Sequence, residues 1–374
     1  MEPVTHFLTG ACIGRAGLNR KTAYATLAAV LAAEAADLDV LWGIAGPVDG
    51  LKHHRGITHT FIFAPVVAAV VVGVVWLFHH WNEKRRAHKL PVPDADPGAP
   101  APPQPQPVRW PWVYLAALIA ALSHILLDWT NSYGVRPFFP FNPRWYEGSI
   151  VFIAEPVLWA LLISALVVPA LFGLADREIG VRKTPFRGRA WAIFALSGMV
   201  IFWCWRWAER AQAVAMLENT QVTSAPIHRI AVLPYPVTPF RWHAILDTDG
   251  YYQTAEVNTH TDTMNTDPAR DVLYKPADTP AVEAAKRTYL GQVYLDWGRW
   301  AVVRDVGQQP VPGMDPPQLP PGGTWTAVEF YDLRFAYSFR GTGGISRPSP
   351  LSGWVYIVDG HEDAGEFMNG REQR

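Results

Sequence analysis

The chain has 374 residues, 49% of them hydrophobic, and 32 lysines and arginines against 33 aspartates and glutamates, a formal net charge of −1. That length has room for two domains, and the lack of a basic stripe excludes a nucleic-acid footprint. The near-neutral total hides two unlike parts: residues 1–207 carry 18 basic against 13 acidic residues between long apolar runs, whereas residues 208–374 carry 14 against 20, evenly spread. Cys12 and Cys204 lie in apolar stretches outside any CxxC pair and read as packed thiols.

The opening MEPVTHFLTG has neither a basic n-region nor a small-residue cleavage site, so membrane insertion is expected from internal segments. Residues 5–18 and 22–41 predict a helical hairpin packed on a bundle, its first arm either spanning or only re-entrant. The second arm carries Glu34, Asp37 and Asp39. Segments 60–78, 110–127, 148–175 and 190–205 each have the length that a hydrocarbon core of roughly 30 Å asks of a helix, predicting four spans. Loop 81–109 holds Lys84, Arg85, Arg86, Lys89 and Arg109, and loop 176–189 holds Arg177, Arg182, Lys183, Arg187 and Arg189. Both are therefore expected in the cytoplasm. Eight prolines between Pro91 and Pro107 predict an extended, disordered connector. Counting back from these loops puts His6, residues 37–59, residues 128–148 and everything after Trp207 on the extracytoplasmic side.

From residue 208 onward, short runs such as RIAVLPYPV, FRWHAILDT, YLGQVYLDW, RWAVVRDV and GWVYIVDG alternate apolar and polar residues between prolines, glycines and aspartates. Such runs predict antiparallel strands in a small sandwich or open barrel. The expected fold is thus an α-helical membrane bundle of four spans plus an N-terminal helical hairpin (1–207), followed by a C-terminal mainly-β soluble domain (208–374). His243, His260 and His361 have no partners at ligand spacing and are expected at its surface.

The residues that can carry chemistry gather on the extracytoplasmic side. His124 and Asp128, in SHILLDW, leave one helix face a turn apart, the geometry of a bidentate metal platform. Ionisable groups beside a span face a cavity or a partner. Asp37 and Asp39 can turn toward one site if their helix ends near Asp37, Asp37 as a ligand and Asp39 as either a ligand or a cap. In HHRGITH, Gly56 lets the backbone bend, Thr58 can cap a helix starting near His59, and Arg55 suits a bidentate contact with phosphate or carboxylate. His54 and His59 are candidate site residues, and His53 is expected to face solvent. Glu155 precedes Pro156 in an apolar run. It reads either as an acceptor orienting a ligand histidine or as a helix-packing group.

Five blocks, PVTHFLTGACIGRAGL, ADLDVL, HHRGITHT, SHILLDWTNSYGVRPFFPF and RWYEGSIVFIAEPVLW, occur in one order over residues 1–175. Together they resemble the YdjM family of LexA-binding, inner-membrane-associated metal-dependent hydrolases, grouped with zinc-dependent phospholipase C and related nucleases. The resemblance implies an all-helical metal site with His6, Asp37, His59, His124 and Asp128 as ligands and Asp39, His54 and Arg55 close by. The chain departs from the family in having Ala-Asp-Leu-Asp where Pro-Asp-Leu-Asp is common and Glu155 where Asp is common.

An imidazole and carboxylate donor set without thiolate suits Zn²⁺, with Mn²⁺ and Fe²⁺ also compatible, and five ligands exceed what one tetrahedral catalytic zinc uses, implying two or more ions. The expected function is hydrolysis of an ester or phosphoester at the inner membrane, with Arg55, His54 and Asp39 as catalytic residues and membrane lipids or another amphiphile as partner and substrate. Two other readings are a non-catalytic scaffold stapled by metal and a cation-coupled transporter. The transporter reading predicts polar groups spread through the membrane's depth.

Overall fold

The computed structural model describes residues 1–87, 106–179, 188–220, 222–267, 269–337, 349, 351–360 and 362–373. Helix α1 (Pro3–Arg15) begins with a proline behind Glu2, whose carboxylate accepts the Thr5 N–H at 3.0 Å. α2 (Ala25–Ala35) packs back against it. A methyl group on Gly14 would lie 2.4 Å from Thr26 Cα, and one on Gly10 2.7 Å from the Ala29 carbonyl oxygen. The two backbones therefore touch as in the small-xxx-small contacts of membrane helices.

α2 tightens into a 3₁₀ helix, Ala36–Ile44, followed by α3 (Pro47–His53) and a single turn, Ile57–His59. Four long helices come next: α4 (Ala64–Ala87), α5 (Trp110–Thr130), α6 (Pro156–Glu178) and α7 (Arg189–Asn219). Segments Ala64–Arg86, Trp110–Thr130, Pro156–Asp176 and Arg189–Asn219 are long and apolar enough to cross a membrane, so the four expected spans are present with shifted ends. α4 runs through the start of the predicted loop at 81. α6 begins only at Pro156, which cannot donate a backbone hydrogen bond and so suits a helix start. α7 continues past the expected boundary at 207. The predicted proline-rich connector falls, as far as residue 105, outside the described residues.

The β-rich part has two antiparallel five-stranded sheets. One contains β1 (Arg229–Pro234), β2 (Arg241–Asp247), β3 (Tyr251–Asn258), β4 (Thr263–Asn265) and β5 (Val272–Tyr274), with β4 and β5 both on β3. After helices α8 (Pro280–Arg287) and α9 (Tyr289–Trp297), the other is built from β6 (Ala301–Asp305), β7 (Trp325–Asp332), β8 (Gly353–Val358), β9 (Glu362–Met368) and β10 (Arg371–Glu372), neighbours in chain order. The sheets meet through Ala231, Leu233 and Ile245 against Val302, Tyr331 and Leu333, which makes a sandwich.

Two expectations need correction here. YLGQVYLDW is α9, not a strand: Thr288 caps it, and Leu290, Val293, Tyr294 and Trp297 are buried at helical spacing. His243 is not at the surface but buried in β2, its ring stacked on Tyr337 at 4.4 Å. His260 is exposed as expected, and His361 lies outside the described residues.

The sandwich sits on the site-bearing end of the bundle. Val48, Leu51, Tyr133 and Trp145 share a core with Leu290, Tyr294, Trp297, Val328 and Phe330. The fully buried Arg334 donates to Ser132 O at 2.9 Å, Glu147 Oε2 at 2.5 Å and Asp332 Oδ2 at 2.9 Å. On the opposite flank, Arg206 of α7 reaches Ile150 O at 2.7 Å and Thr238 O at 2.8 Å while lying over the Trp242 ring.

Candidate metal centre

α5 presents His124 and Asp128 on one face, with His124 Nε2 and Asp128 Oδ2 3.2 Å apart. His124 Nδ1 lies 2.6 Å from the Ala33 carbonyl oxygen of α2. Donation there places the proton on Nδ1 and leaves the Nε2 lone pair aimed into the cluster. The 57–59 turn brings His59 Nε2 to 2.9 Å from His124 Nε2 and 3.2 Å from Asp128 Oδ2. Asp37 Oδ1 closes the group at 3.3 Å from His59 Nε2 and 3.6 Å from His124 Nε2. Asp37 is there because α2 ends at Ala35, and the 3₁₀ turn after it swings both Asp37 and Asp39 toward the bundle.

Asp37, His59, His124 and Asp128 form one group able to hold a metal ion, and Asp37, Asp39 and His54 form a second that shares Asp37. His6 stands beside the first group, its ring stacked 3.8 Å from His124 and its Nε2 3.5 Å from Asp128 Oδ1. The main-chain nitrogen of Met1 also contacts Asp128. Both His6 nitrogens are buried without a hydrogen-bond partner, and Asp128 Oδ2 is buried facing the ring nitrogens of His59 and His124 at 3.2 Å. Leaving such atoms unsatisfied costs about 1–3 kcal/mol each, so these residues fit a cation at their centre.

Asp39 is the hub behind these candidate ligands. It takes His54 Nδ1 at 2.9 Å, the Arg55 N–H at 2.8 Å, Thr58 Oγ1 at 3.2 Å and His59 Nδ1 at 3.2 Å. Donation of the His59 Nδ1 proton to Asp39 turns His59 Nε2 toward Asp37 and Asp128, the carboxylate–histidine arrangement that orients metal ligands. Thr58 thus serves Asp39 rather than capping a helix, and Thr60 Oγ1 instead accepts the Phe63 N–H at 3.1 Å just ahead of α4. Burial alone would lower the His59 imidazole, but the carboxylates of Asp128, Asp37 and Asp39 push it up to about 10. Burial would raise the Asp37 carboxyl, yet its hydrogen bond with His59 and the neighbouring His124 hold it at about 2. Asp39 likewise lies below the ordinary carboxylate range, burial being outweighed by its bonds to His54 and His59. Three carboxylates face the His59 imidazolium and the Arg55 guanidinium at Asp128, which leaves net negative charge suited to a metal cation.

Arg55 sits at φ 55°, a left-handed backbone unusual for a side chain of its size. Its guanidinium is buried and turned inward, donating to Asp128 Oδ1 at 2.9 Å, Asn131 Oδ1 at 3.2 Å and Gly134 O at 2.9 Å, with the Tyr133 ring 4.6 Å away. Two of its nitrogens are thus held by Asp128, Asn131 and Gly134, while Nε is buried without a partner, and its nearest tie to the site is Asp128. His53 stacks on Trp42 at 4.3 Å and is half-buried rather than solvent-facing. Glu155 neither orients a ligand nor pairs with Arg144. Its Oε1 accepts Val157 N at 3.3 Å and Val237 N at 3.1 Å, capping α6 and tying it to the sandwich. Sequence reading missed Asn131 and Tyr133, whose signal was the turn-prone NSYG directly after the His124/Asp128 helix.

Fold and site together define a helical membrane protein with a His/Asp centre, able to hold a metal ion, at one end of its bundle. Residues 1–213 match the family of the YdjM inner membrane protein, and the chain belongs to that family. It is also similar to the uncharacterized protein YfhP of Bacillus subtilis (strain 168), 22% identical over 176 residues. That match covers 45% of this chain and 46% of the relative, so the chain spans about half the length of the curated protein it matches. No solved structure matches the chain.

Proposed function

We propose that the protein is a metal-dependent hydrolase of an ester or phosphoester, its centre and β sandwich on the extracytoplasmic side of the inner membrane. The observation that carries this reading is the pair of adjacent donor groups sharing Asp37, one of them reached by solvent through His54, whose side chain is 29% exposed. Zn²⁺ is the ion proposed for these nitrogen and oxygen donors. A metal held there supplies Lewis acidity and an acidified water at neutral pH. His6, Asp37, His59, His124 and Asp128 would hold it. Asp39 fixes the tautomers of His54 and His59, leaving His54 Nε2 to take or give a proton at the open side. Arg55 offsets the charge of the buried Asp128.

The polar residues crowd at one end of the helices, which disfavours the transporter reading. Full burial of His6, His59, His124 and Asp128 favours the scaffold as the second reading. The test is to purify the protein in detergent, measure metal per chain, and assay phosphodiester and lipid-ester hydrolysis in the native protein, His124→Ala and Asp128→Ala. Metal and turnover lost together in both variants support the hydrolase. Metal without turnover of any substrate supports the scaffold, and metal-free native protein rejects both.

A further inference from the structure

The 3₁₀ helix Ala36–Ile44 has two unlike faces. Asp37 and Asp39 point into the centre, while Leu38, Val40, Leu41, Trp42 and Ile44 are all more than half exposed. Beside it, Ile57, Phe61 and Ile62, which lead into α4, and Phe138 and Phe141, which follow α5, are exposed as well. Isolated apolar residues on a surface need no explanation, but a contiguous patch marks an interaction surface. This one continues directly from the outer faces of the spans, where Val66, Val70, Val74 and Leu126 are exposed too. The patch therefore sits where α4 and α5 leave the membrane, and a tryptophan among aliphatic residues is the composition of such an interface.

A pocket of about 270 Å³ opens from this apolar apex toward the centre. Val40, Gly43, His54 and Tyr133 line it on the bundle side, and Leu351 just ahead of β8, Met368 of β9 and Arg371 of β10 line it on the other. Pockets that enclose a drug-sized ligand hold about 300–1,000 Å³, so this one takes only part of an amphiphile and leaves the remainder outside, against the apex. Arg371 donates to Gly43 O at 3.2 Å, which stations its positive charge at the pocket. The wall is held in place by Gln373, which accepts the Val48 N–H at 2.8 Å and donates to Asp49 at 2.7 Å.

We infer that the 36–44 apex is immersed in the adjoining leaflet and that this pocket admits the headgroup of a single anionic phospholipid sideways from the bilayer, with its chains remaining along Leu38, Val40 and Leu41. The substrate class of the proposed hydrolase is then a membrane phospholipid, an assignment that rests on the hydrolase reading; the docking itself does not. The β sandwich supplies one wall of the lipid-binding pocket.

The test uses the full-length protein in phosphatidylglycerol/phosphatidylcholine vesicles. An environment-sensitive fluorophore on Leu41→Cys, in a Cys204→Ser background, is quenched by lipids bearing acyl-chain nitroxides and shielded from aqueous iodide. Phosphatidylglycerol with a photoactivatable chain crosslinks to residues 36–44 and 351–371. In Val40→Glu/Leu41→Glu, with its metal content unchanged, the yield drops about tenfold, as expected for losing buried aliphatic surface, and Arg371→Gln narrows the preference for phosphatidylglycerol over phosphatidylcholine. A fluorophore open to iodide, or equal crosslinking in the double variant, overturns the inference. Immersion and crosslinking without turnover of any phosphoester uphold the docking and reject the hydrolase reading. Turnover of a soluble phosphodiester with the apex in water does the reverse.

Discussion

Asp39→Asn isolates the role of the hub from that of the ligands. The carboxylate serves four donors at 2.8–3.2 Å: His54 Nδ1, the Arg55 N–H, Thr58 Oγ1 and His59 Nδ1. His54 is on Oδ1 and the other three are on Oδ2, so an amide of the same shape, with one acceptor oxygen and an NH₂ in place of the other, loses one of these bonds or three according to its orientation. Hydrogen bonds to a charged group contribute about 1.5–3 kcal/mol each. Part of that loss falls on folding, through the left-handed Arg55 backbone, and part on metal binding, through the freed His59 ring. Removing an outer partner of a ligating histidine typically weakens metal affinity about 10–100-fold, or roughly 1.4–2.7 kcal/mol. Competition with a chromophoric zinc chelator in detergent measures this directly. The expected result is unchanged stoichiometry at that lower affinity, against lost stoichiometry in His124→Ala. Affinity equal to native would show that Asp39 orients nothing, and loss of a whole metal equivalent would make Asp39 itself a ligand.

Gly14→Val sets side-chain atoms into a space where even a Cβ meets Thr26 Cα at 2.4 Å. It should cost about 1–3 kcal/mol, with a lower melting temperature and reduced metal content as α1 carries His6 away from Asp128. Arg334→Met strands Asp332 and Glu147, two buried or nearly buried carboxylates, and should cost about 3–5 kcal/mol in thermal unfolding. Acid should destabilise the sandwich through His243, whose imidazole burial lowers from 6.5 to about 3. The unfolded chain takes up that proton first, so stability is full above pH 6.5 and falls by about 1.4 kcal/mol per pH unit toward pH 3. Circular dichroism melts of His243→Phe should show a flatter acid limb.

Much of the bundle was legible because spans are announced by length and by the absence of charge, and because His124 and Asp128 share a helix, where spacing fixes direction. Residues on irregular backbone were legible only as candidates. Asp37 and Asp39 are two apart, and only the change from α to 3₁₀ winding after Ala35 lets both face one centre. The direction of Arg55 depends on a left-handed φ and on Asn131 and Gly134, distant acceptors that no spacing reveals. The strand expected at 289–297 failed for a related reason. Leu290, Val293, Tyr294 and Trp297 fit helical spacing while the aromatic and β-branched content favours a strand, and the threonine cap decided for the helix.

Among the described residues, the centre is sealed on the bundle side, where His6, His59, His124 and Asp128 are fully buried, and open at Asp37 and His54, whose side chains are partly exposed. That approach is bounded by chain segments far apart in sequence, the 36–54 region and the ends of β8 to β10. The sandwich cannot then be an independent appendage. Tyr133 makes the link physically: its ring packs on Trp297 at 4.8 Å on one side and stands 5.4 Å from His54 and 4.6 Å from the Arg55 guanidinium on the other. Arg334 and Trp297 hold the 131–147 segment from beneath, so the same packing that anchors the sandwich also sets the positions of His54 and Arg55. Substitutions at Trp297, outside the family-matched residues and separated from His54 by the Tyr133 ring, should therefore register in metal affinity as well as in stability.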